Sequence, residues 1–308
     1  MTVSDDEATW ATDPTHHIID GHSDDFPGLL RQIPDQPVRL FVAGNVDALH
    51  LPALAIVGSR NPTQQGRRNA YEFAKHLGRS GFCIVSGLAS GIDSAAHEGA
   101  LDGGAMTVAF LGHGIDQIYP AANKALAERI KVSGALCSEF DLGSEPRRQH
   151  FPQRNRLISG LSLGVLVVEA AQRSGSLITA RLAAEQGREI FAIPGSIHNP
   201  MSRGCHQLIR QGAKLVESAA DIVSELGPLV ESLLQIPEEA LPANHASHEP
   251  DADYEILLQA MGFDPATTDE LAERSGLTIG HVSSMLLILE LEGKIEAQAG
   301  GRYSSLHK

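Results

Sequence analysis

From Leu54 onward the chain alternates short apolar runs with longer amphipathic stretches. The apolar runs predict strands near 54–58, 82–86, 105–111, 135–138, 164–169 and 189–193. The amphipathic stretches predict helices near 66–79, 91–101, 121–132 and 176–187. Continuous apolar runs of this length suit strands covered on both faces, and their alternation with helices predicts an α/β fold around a parallel sheet. Ligands then belong at the carboxyl ends of the strands. Those ends are rich in small residues: Gly58-Ser59-Arg60, Ser86-Gly87-Leu88-Ala89-Ser90-Gly91, Gly112-His113-Gly114, Ser138-Glu139, Glu169-Ala170 and Pro194-Gly195-Ser196.

The flanks read differently. Residues 1–25 are polar and acidic and are expected to be poorly ordered, while Phe26 to Asn45 interleaves prolines with apolar residues and is expected to pack on the core. Together, 1–50 form an acidic N-terminal segment and leading extension to the domain at 51–227. Residues 228–250, with Pro228, Pro237, Pro242 and Pro250, have linker composition. At 251–308 the pattern predicts a small winged helix-turn-helix. A helix starts at Thr268-Asp269-Glu270, Ser275-Gly276-Leu277 makes a turn, a second helix covers Ile279 to Glu292, and a hairpin surrounds Gly300-Gly301. The presumed recognition helix offers Thr278, Gly280, His281, Ser283 and Ser284 but no arginine or lysine. A role in protein interaction or packing is therefore favoured over duplex reading.

Charge changes the picture only when it is divided. The net charge of −14 argues against nucleic acid as a single number. However, 51–227 carries 18 basic and 15 acidic residues, against 2 and 9 in 1–50 and 4 and 14 in 228–308. A local cationic groove can bind a polyanion inside an acidic protein because salt screens fields beyond about 10 Å. No apolar run reaches the roughly 20 residues of a membrane helix and no secretory pattern opens the chain, so a cytoplasmic location is expected. The three cysteines, Cys83, Cys137 and Cys205, show no zinc spacing, and Cys83 and Cys137 are expected to be buried strand residues. No metal or cofactor is expected.

The chemistry sits in the turns. Gly58 and Ser59 allow close approach to the main chain, and Arg60 offers a planar fork for phosphate oxygens ahead of a helix N-terminus. Ser86 and Gly87 open a second glycine-rich turn that is either a further phosphate cradle or a tight connection needing glycine for its geometry. His97, four residues after Asp93, reads as a helix-internal polar contact rather than a ligand. Phe151-Pro152-Gln153-Arg154-Asn155-Arg156 combines a ring for base stacking, two guanidinium forks and an amide, and points to a nucleic-acid contact. Ser174, Gly175 and Ser176 at the mouth of a helix read as an anion site, with simple capping as the alternative. No G-x-x-x-x-G-K-[ST] loop is present, no G-x-G-x-x-G follows the first strand, no G-x-S-x-G elbow follows a strand, and no carboxylate pair stands out. The rim suits binding better than turnover.

These residues, over about Phe26 to Ile222, resemble the DNA-processing protein DprA family, also called Smf. The resemblance is carried by Ala55 to Arg60, Ile84 to Asp93 with Ala96-His97, Tyr119-Pro120, Ser138-Glu139, Phe151 to Arg156, Val168 to Ala170, Ser174 to Thr179 and Pro194-Gly195. It implies an extended Rossmann-like domain with a small C-terminal winged-helix domain. The implied activity is that of a dimeric, non-catalytic mediator that binds single-stranded DNA, protects incoming strands during natural transformation and helps load the RecA recombinase. By the family pattern Gly58, Ser59 and Arg60 form the main phosphate pocket, with Arg154, Asn155 and Arg156 nearby. Gly204-Cys205-His206-Gln207-Leu208-Ile209 departs from the Gly-Ser-Asn type start of many members, and Leu208 and Ile209 are candidates for a dimer face. No room is expected at the N-terminus for the separate helical domain some members possess. The alternative is a nucleotide-processing enzyme of a related Rossmann-like group with phosphoribohydrolase activity. That group's Pro-Gly-Gly-x-Gly-Thr-x-x-Glu loop is replaced here by Ser174 to Thr179, without the closing glutamate.

Overall fold

The computed structural model describes residues 4–234 and, beyond them, 257, 260–261, 266–278, 282, 285–286, 289, 295–298 and 302–305. The chain divides into two compact units, Met1–Gln235 and Ile236–Lys308.

The larger unit is built on β1 (His16–Asp20), β2 (Arg39–Gly44), β3 (Ala53–Val57), β4 (Cys83–Ser86), β5 (Thr107–Phe110), β6 (Ala135–Ser138), β7 (Gly164–Val167), β8 (Glu189–Ala192) and β9 (Lys214–Leu215). They form one sheet in the order β1-β2-β6-β5-β4-β3-β7-β8-β9. All neighbours from β6 to β9 are parallel, while β1 and β2 are antiparallel additions. The chain runs outward from β3 through β4 and β5 to β6, then returns to place β7 on the other side of β3. That reversal creates a topological switch point outside the carboxyl ends of β3 and β7, the crevice where open α/β sheets bind ligands.

Strand β3 shows why the sheet is two-sided. Ala53, Ala55 and Val57 face one core cluster and Leu54 and Ile56 the other, as alternation along a strand dictates. The helices are α1 (Asp5–Trp10), α2 (Gly28–Arg31), α3 (Gln64–Arg79), α4 (Ile92–Asp102), α5 (Lys124–Ser133), α6 (His150–Leu161), α7 (Gly175–Glu185), α8 (Arg203–Arg210) and α9 (Ala219–Leu234). Cys83 and Cys137 lie in β4 and β6 and are buried. Burial pushes the Cys83 thiol up to about 12.

Two expectations need correction. From residue 4 onward the N-terminal segment is ordered structure. Ser4 and Glu7 form a reciprocal capping box at α1, Glu7 pairs with Arg39 at 2.7 Å, and Trp10 stacks on His16 with ring centroids 4.2 Å apart. These contacts lock α1 over β1, which pairs with β2 from His16↔Ala43 to Asp20↔Arg39. Near the other end, α9 continues through Pro228 to Leu234, so the proline-rich composition does not mark a break at 228. The rest of the expected linker, 235–250, lies outside the described residues.

In the smaller unit, helix Thr268–Ser275 is capped by Thr267 and Glu270 and ends at Gly276 in the left-handed conformation. β10 (Ala266–Thr267), β11 (Ile295–Gln298) and β12 (Arg302–Ser305) form a three-stranded sheet in the order β10-β12-β11, around a core that includes Leu257, Leu271, Leu286 and Ile295. Gly280, His281, Ser283 and Ser284 of the expected recognition helix lie outside the described residues.

Candidate nucleic-acid interface

The turn after β3 is shaped by close packing. A side chain on Gly58 would meet Ile92 Cγ1 at 2.6 Å, and one on Gly91 would collide with the carbonyl oxygens of Ser59 and Arg60. Gly91 also adopts φ +88, which glycine reaches without a Cβ penalty. The turns after β3 and β4 therefore lie against each other, tied by Ile92 N donating to Ser59 O at 3.1 Å. Ser59 is buried and its hydroxyl accepts from Asn61 N at 3.0 Å. Arg60 is exposed, with its guanidinium carbon 5.4 Å from the centre of the Phe151 ring.

A cavity of about 800 Å³ opens at the switch point. Gly58, Ser59 and Arg60 line it from β3, Phe151, Arg154 and Asn155 from α6, and Ser174, Gly175 and Ser176 from the start of α7. Sequence reasoning had missed Arg148 and Arg173, both exposed on its wall; each was visible only as an ordinary surface cation beside a motif. Among the described residues, Arg60, Arg148 and Arg173 form no ion pair. Among the described residues Asp93 is the one carboxylate on the lining. The mouth is cationic inside an acidic protein.

Several expected contacts are already used by the fold. Asp93 Oδ2 accepts from Gly87 N at 3.1 Å and Ala89 N at 3.4 Å, so the second glycine-rich turn is closed by the protein's own carboxylate. Burial raises the pKa of Asp93. The Ser86 hydroxyl is buried and donates to Ile56 O at 2.7 Å. Asp93 thus takes up the N–H groups of Gly87 and Ala89, while Gly87, Ala89 and Ser90 line a smaller cavity beside Arg60. Arg154 is only 3% exposed, and its Nη1 donates to Gly87 O at 2.9 Å and also to Phe110 O. Burial lowers it to about 10, which keeps it charged at neutral pH. Arg154 is a buried strut of the cavity floor rather than an exposed fork. Arg156 points elsewhere: it makes a two-pronged pair with Glu139, both contacts at 2.6 Å, and donates from Nε to Asp35 O at 3.0 Å. It lies outside the cavity lining.

The N-terminus of α3 is also occupied. Glu169 accepts from Thr63 N at 2.8 Å and Thr63 Oγ1 at 2.7 Å, and a side chain on Gly66 would strike its carboxylate. At α7, by contrast, Ser174 caps Ser176 N at 3.3 Å, nothing crowds Gly175, and the first turn faces the cavity. Asn155 Nδ2 reaches Gly175 O at 3.5 Å. Leu208 corrects another expectation: amphipathic α8 turns it into the core at 7% exposure, leaving Ile209 half-buried beside it. His97 is buried, with Nδ1 2.7 Å from Thr107 Oγ1, and burial lowers its pKa to about 3. The pattern Gly160-Leu161-Ser162-Leu163-Gly164 is no nucleophile elbow. Ser162 closes α6 ahead of β7, buried, and donates to Ile158 O at 2.8 Å.

A family model described as DNA recombination-mediator protein A matches residues 17–227, across the whole sheet and its cavity. The chain belongs to the DNA recombination-mediator protein A family. The DprA winged helix domain matches residues 241–301, giving this member the small second domain. The family member is 44% identical to Protein Smf of Escherichia coli over 298 residues, covering 95% of this chain and 78% of that protein. It is 48% identical over 212 residues to DNA processing protein DprA of Streptococcus pneumoniae, covering 69% and 74%. The crystal structure of DprA from Streptococcus pneumoniae aligns with TM-score 0.67 at 45% identity, covering 72% of this chain and 78% of that one. DprA from Helicobacter pylori, whose structure is described in terms of a single-stranded DNA binding mode, aligns with TM-score 0.63 at 29% identity, covering 69% and 96%. Among the described residues no helix is long and apolar enough to cross a membrane.

Proposed function

We propose that this family member binds single-stranded DNA as a recombination mediator. It protects incoming strands and assists RecA loading in natural transformation or related recombination, as a cytoplasmic homodimer with no catalytic step of its own. The observation that carries this reading is the cationic cavity at the switch point, where Arg60, Arg148 and Arg173 are exposed without ion-pair partners beside the open first turn of α7. Guanidinium forks and helix N-terminal N–H groups both suit phosphate oxygens. The aromatic wall built by Tyr119 and Phe151 offers a ring to unpaired bases, which stack on aromatic rings as duplex bases cannot. The Helicobacter relative's single-stranded DNA binding mode supports the same ligand.

With Leu208 in the core, the proposed dimer face falls to Ile209 and to edge strand β9, where Leu215 is 49% exposed. A nucleotide-hydrolysing role has less support, because Asp93 and Glu169, two carboxylates at the rim, are both engaged in holding backbone turns. Fluorescence anisotropy with labelled single-stranded and duplex oligonucleotides at low and moderate salt tests the proposal. The expected result is a preference for the single strand that weakens steeply with salt. Duplex preference, absence of binding, or release of free base from nucleoside monophosphates would overturn it.

A further inference from the structure

We propose that Tyr119 is the base platform of this site and that a small cavity beside the main one receives a single nucleobase, with the adjoining phosphate on Arg60. The inference rests on the DNA-binding reading above. The second cavity, of about 240 Å³, shares Arg60, Tyr119 and Phe151 with the larger one and is closed by Ser90 and Pro120. That volume is below the roughly 300–1,000 Å³ of a site for a drug-sized ligand, and it suits one flat group. Because Arg60 lines both cavities, a phosphate held there places its two flanking nucleosides one in each.

Phe151, the stacking candidate from sequence, is already engaged. Arg60 lies over its ring, and the ring edge packs so closely on Gly112 that an added Cβ would meet Phe151 Cδ1 at 2.9 Å. Tyr119 is 49% exposed, with its ring tilted 42° to Phe151 at a centroid separation of 6.0 Å. Phe151 thus supports both the cation and the second ring, and Tyr119 is the ring left open to a base. Its loop is held in place by Asn123, whose Nδ2 donates to Leu88 O at 2.8 Å and to Ser94 Oγ at 3.0 Å. Those bonds fix the Tyr119 wall to the turn after β4, where Leu88 sits at φ +56, a strained value for a leucine. Rigid walls lower the ordering cost of binding.

The test compares oligothymidylate with an abasic deoxyribose-phosphate polymer of equal length, using wild type, Tyr119→Ala, Tyr119→Phe and Arg60→Ala. Wild type should bind the base-bearing strand more tightly. Tyr119→Ala should lose on the order of tenfold on that strand and so close most of the gap to the abasic polymer, while Tyr119→Phe keeps it. Arg60→Ala should weaken both polymers. A 2-aminopurine in the strand should be quenched by wild type and Tyr119→Phe but not by Tyr119→Ala. Wild-type affinity of Tyr119→Ala for oligothymidylate, or an equal loss on both polymers, would overturn the platform while leaving the DNA-binding reading standing. Failure of wild type to bind either polymer would overturn that reading as well.

Discussion

At the start of α3 the capping residue Thr63 gives its N–H and hydroxyl to the protein's own carboxylate, Glu169, whereas at the start of α7 the turn capped by Ser174 lines a cavity walled by arginines. Both helices follow a sheet strand and a turn of small polar residues, and both were expected to hold an anion. The difference lies in which turn the fold fills from within. Glu169 reaches α3 from a position 106 residues later in the chain, at the end of β7, and Asp93 does the same locally for the turn after β4. An anion site therefore needs two things, donors that converge and the absence of an internal acceptor. Only the first can be read in a local motif.

The arginines repeat the contrast, and substituting them gives the largest expected effect. Arg154 is an internal strut that bonds Gly87 O and Phe110 O in the field of buried Asp93, so Arg154→Ala should cost about 3–5 kcal/mol of folding stability, the range for removing one of two opposite buried charges. Denaturant unfolding measures it; a stability change below 1 kcal/mol would return Arg154 to the exposed, ligand-facing group. Glu169→Ala leaves Thr63 N and Oγ1 without their acceptor and should cost about 2–3 kcal/mol. If it instead leaves the melting temperature unchanged and creates a second phosphate site on α3, the filled turn is only a competitor for ligand and not a structural element.

His97, buried on α4 against Thr107 of β5, gives a pH handle. Its folded pKa, about 3, lies below the unfolded value near 6.5. The unfolded chain therefore binds more protons between those values. Stability is full above about pH 6.5 and falls as the solution is acidified towards pH 3, by up to about 1.4 kcal/mol per pH unit. His97→Asn should flatten that part of the profile; an unchanged slope would assign it to other groups.

What could be read in advance follows from where the determining contacts lie. β3 to β7 were legible because each is an apolar run whose two faces are both buried, and α3 and α5 between them carry an amphipathic pattern. β1 and β2 were not. The histidines and aspartate of β1 and the proline-flanked β2 become strands through pairing with each other and with β6, at Phe41↔Ser138 to Gly44↔Ala135. Gly58, Ser59, Arg60 and the Ser174–Ser176 turn were placed on one rim by the strand–turn–helix pattern, and the structure brings them to one cavity. Arg156 resisted reading because its partner, Glu139, follows a different strand and meets it only in the folded sheet. Arg148 and Arg173 gained their place from the shape of the crevice alone.

The most direct test sets the exposed arginine against the ordered scaffold beneath it: single-stranded oligonucleotide affinity of wild type and Arg60→Ala by anisotropy at the same salt, with melting curves recorded for both. The account predicts a loss of about 1–3 kcal/mol in binding, as expected for a charge-assisted phosphate contact, with no change in melting temperature. Wild-type affinity in a folded Arg60→Ala protein would contradict it.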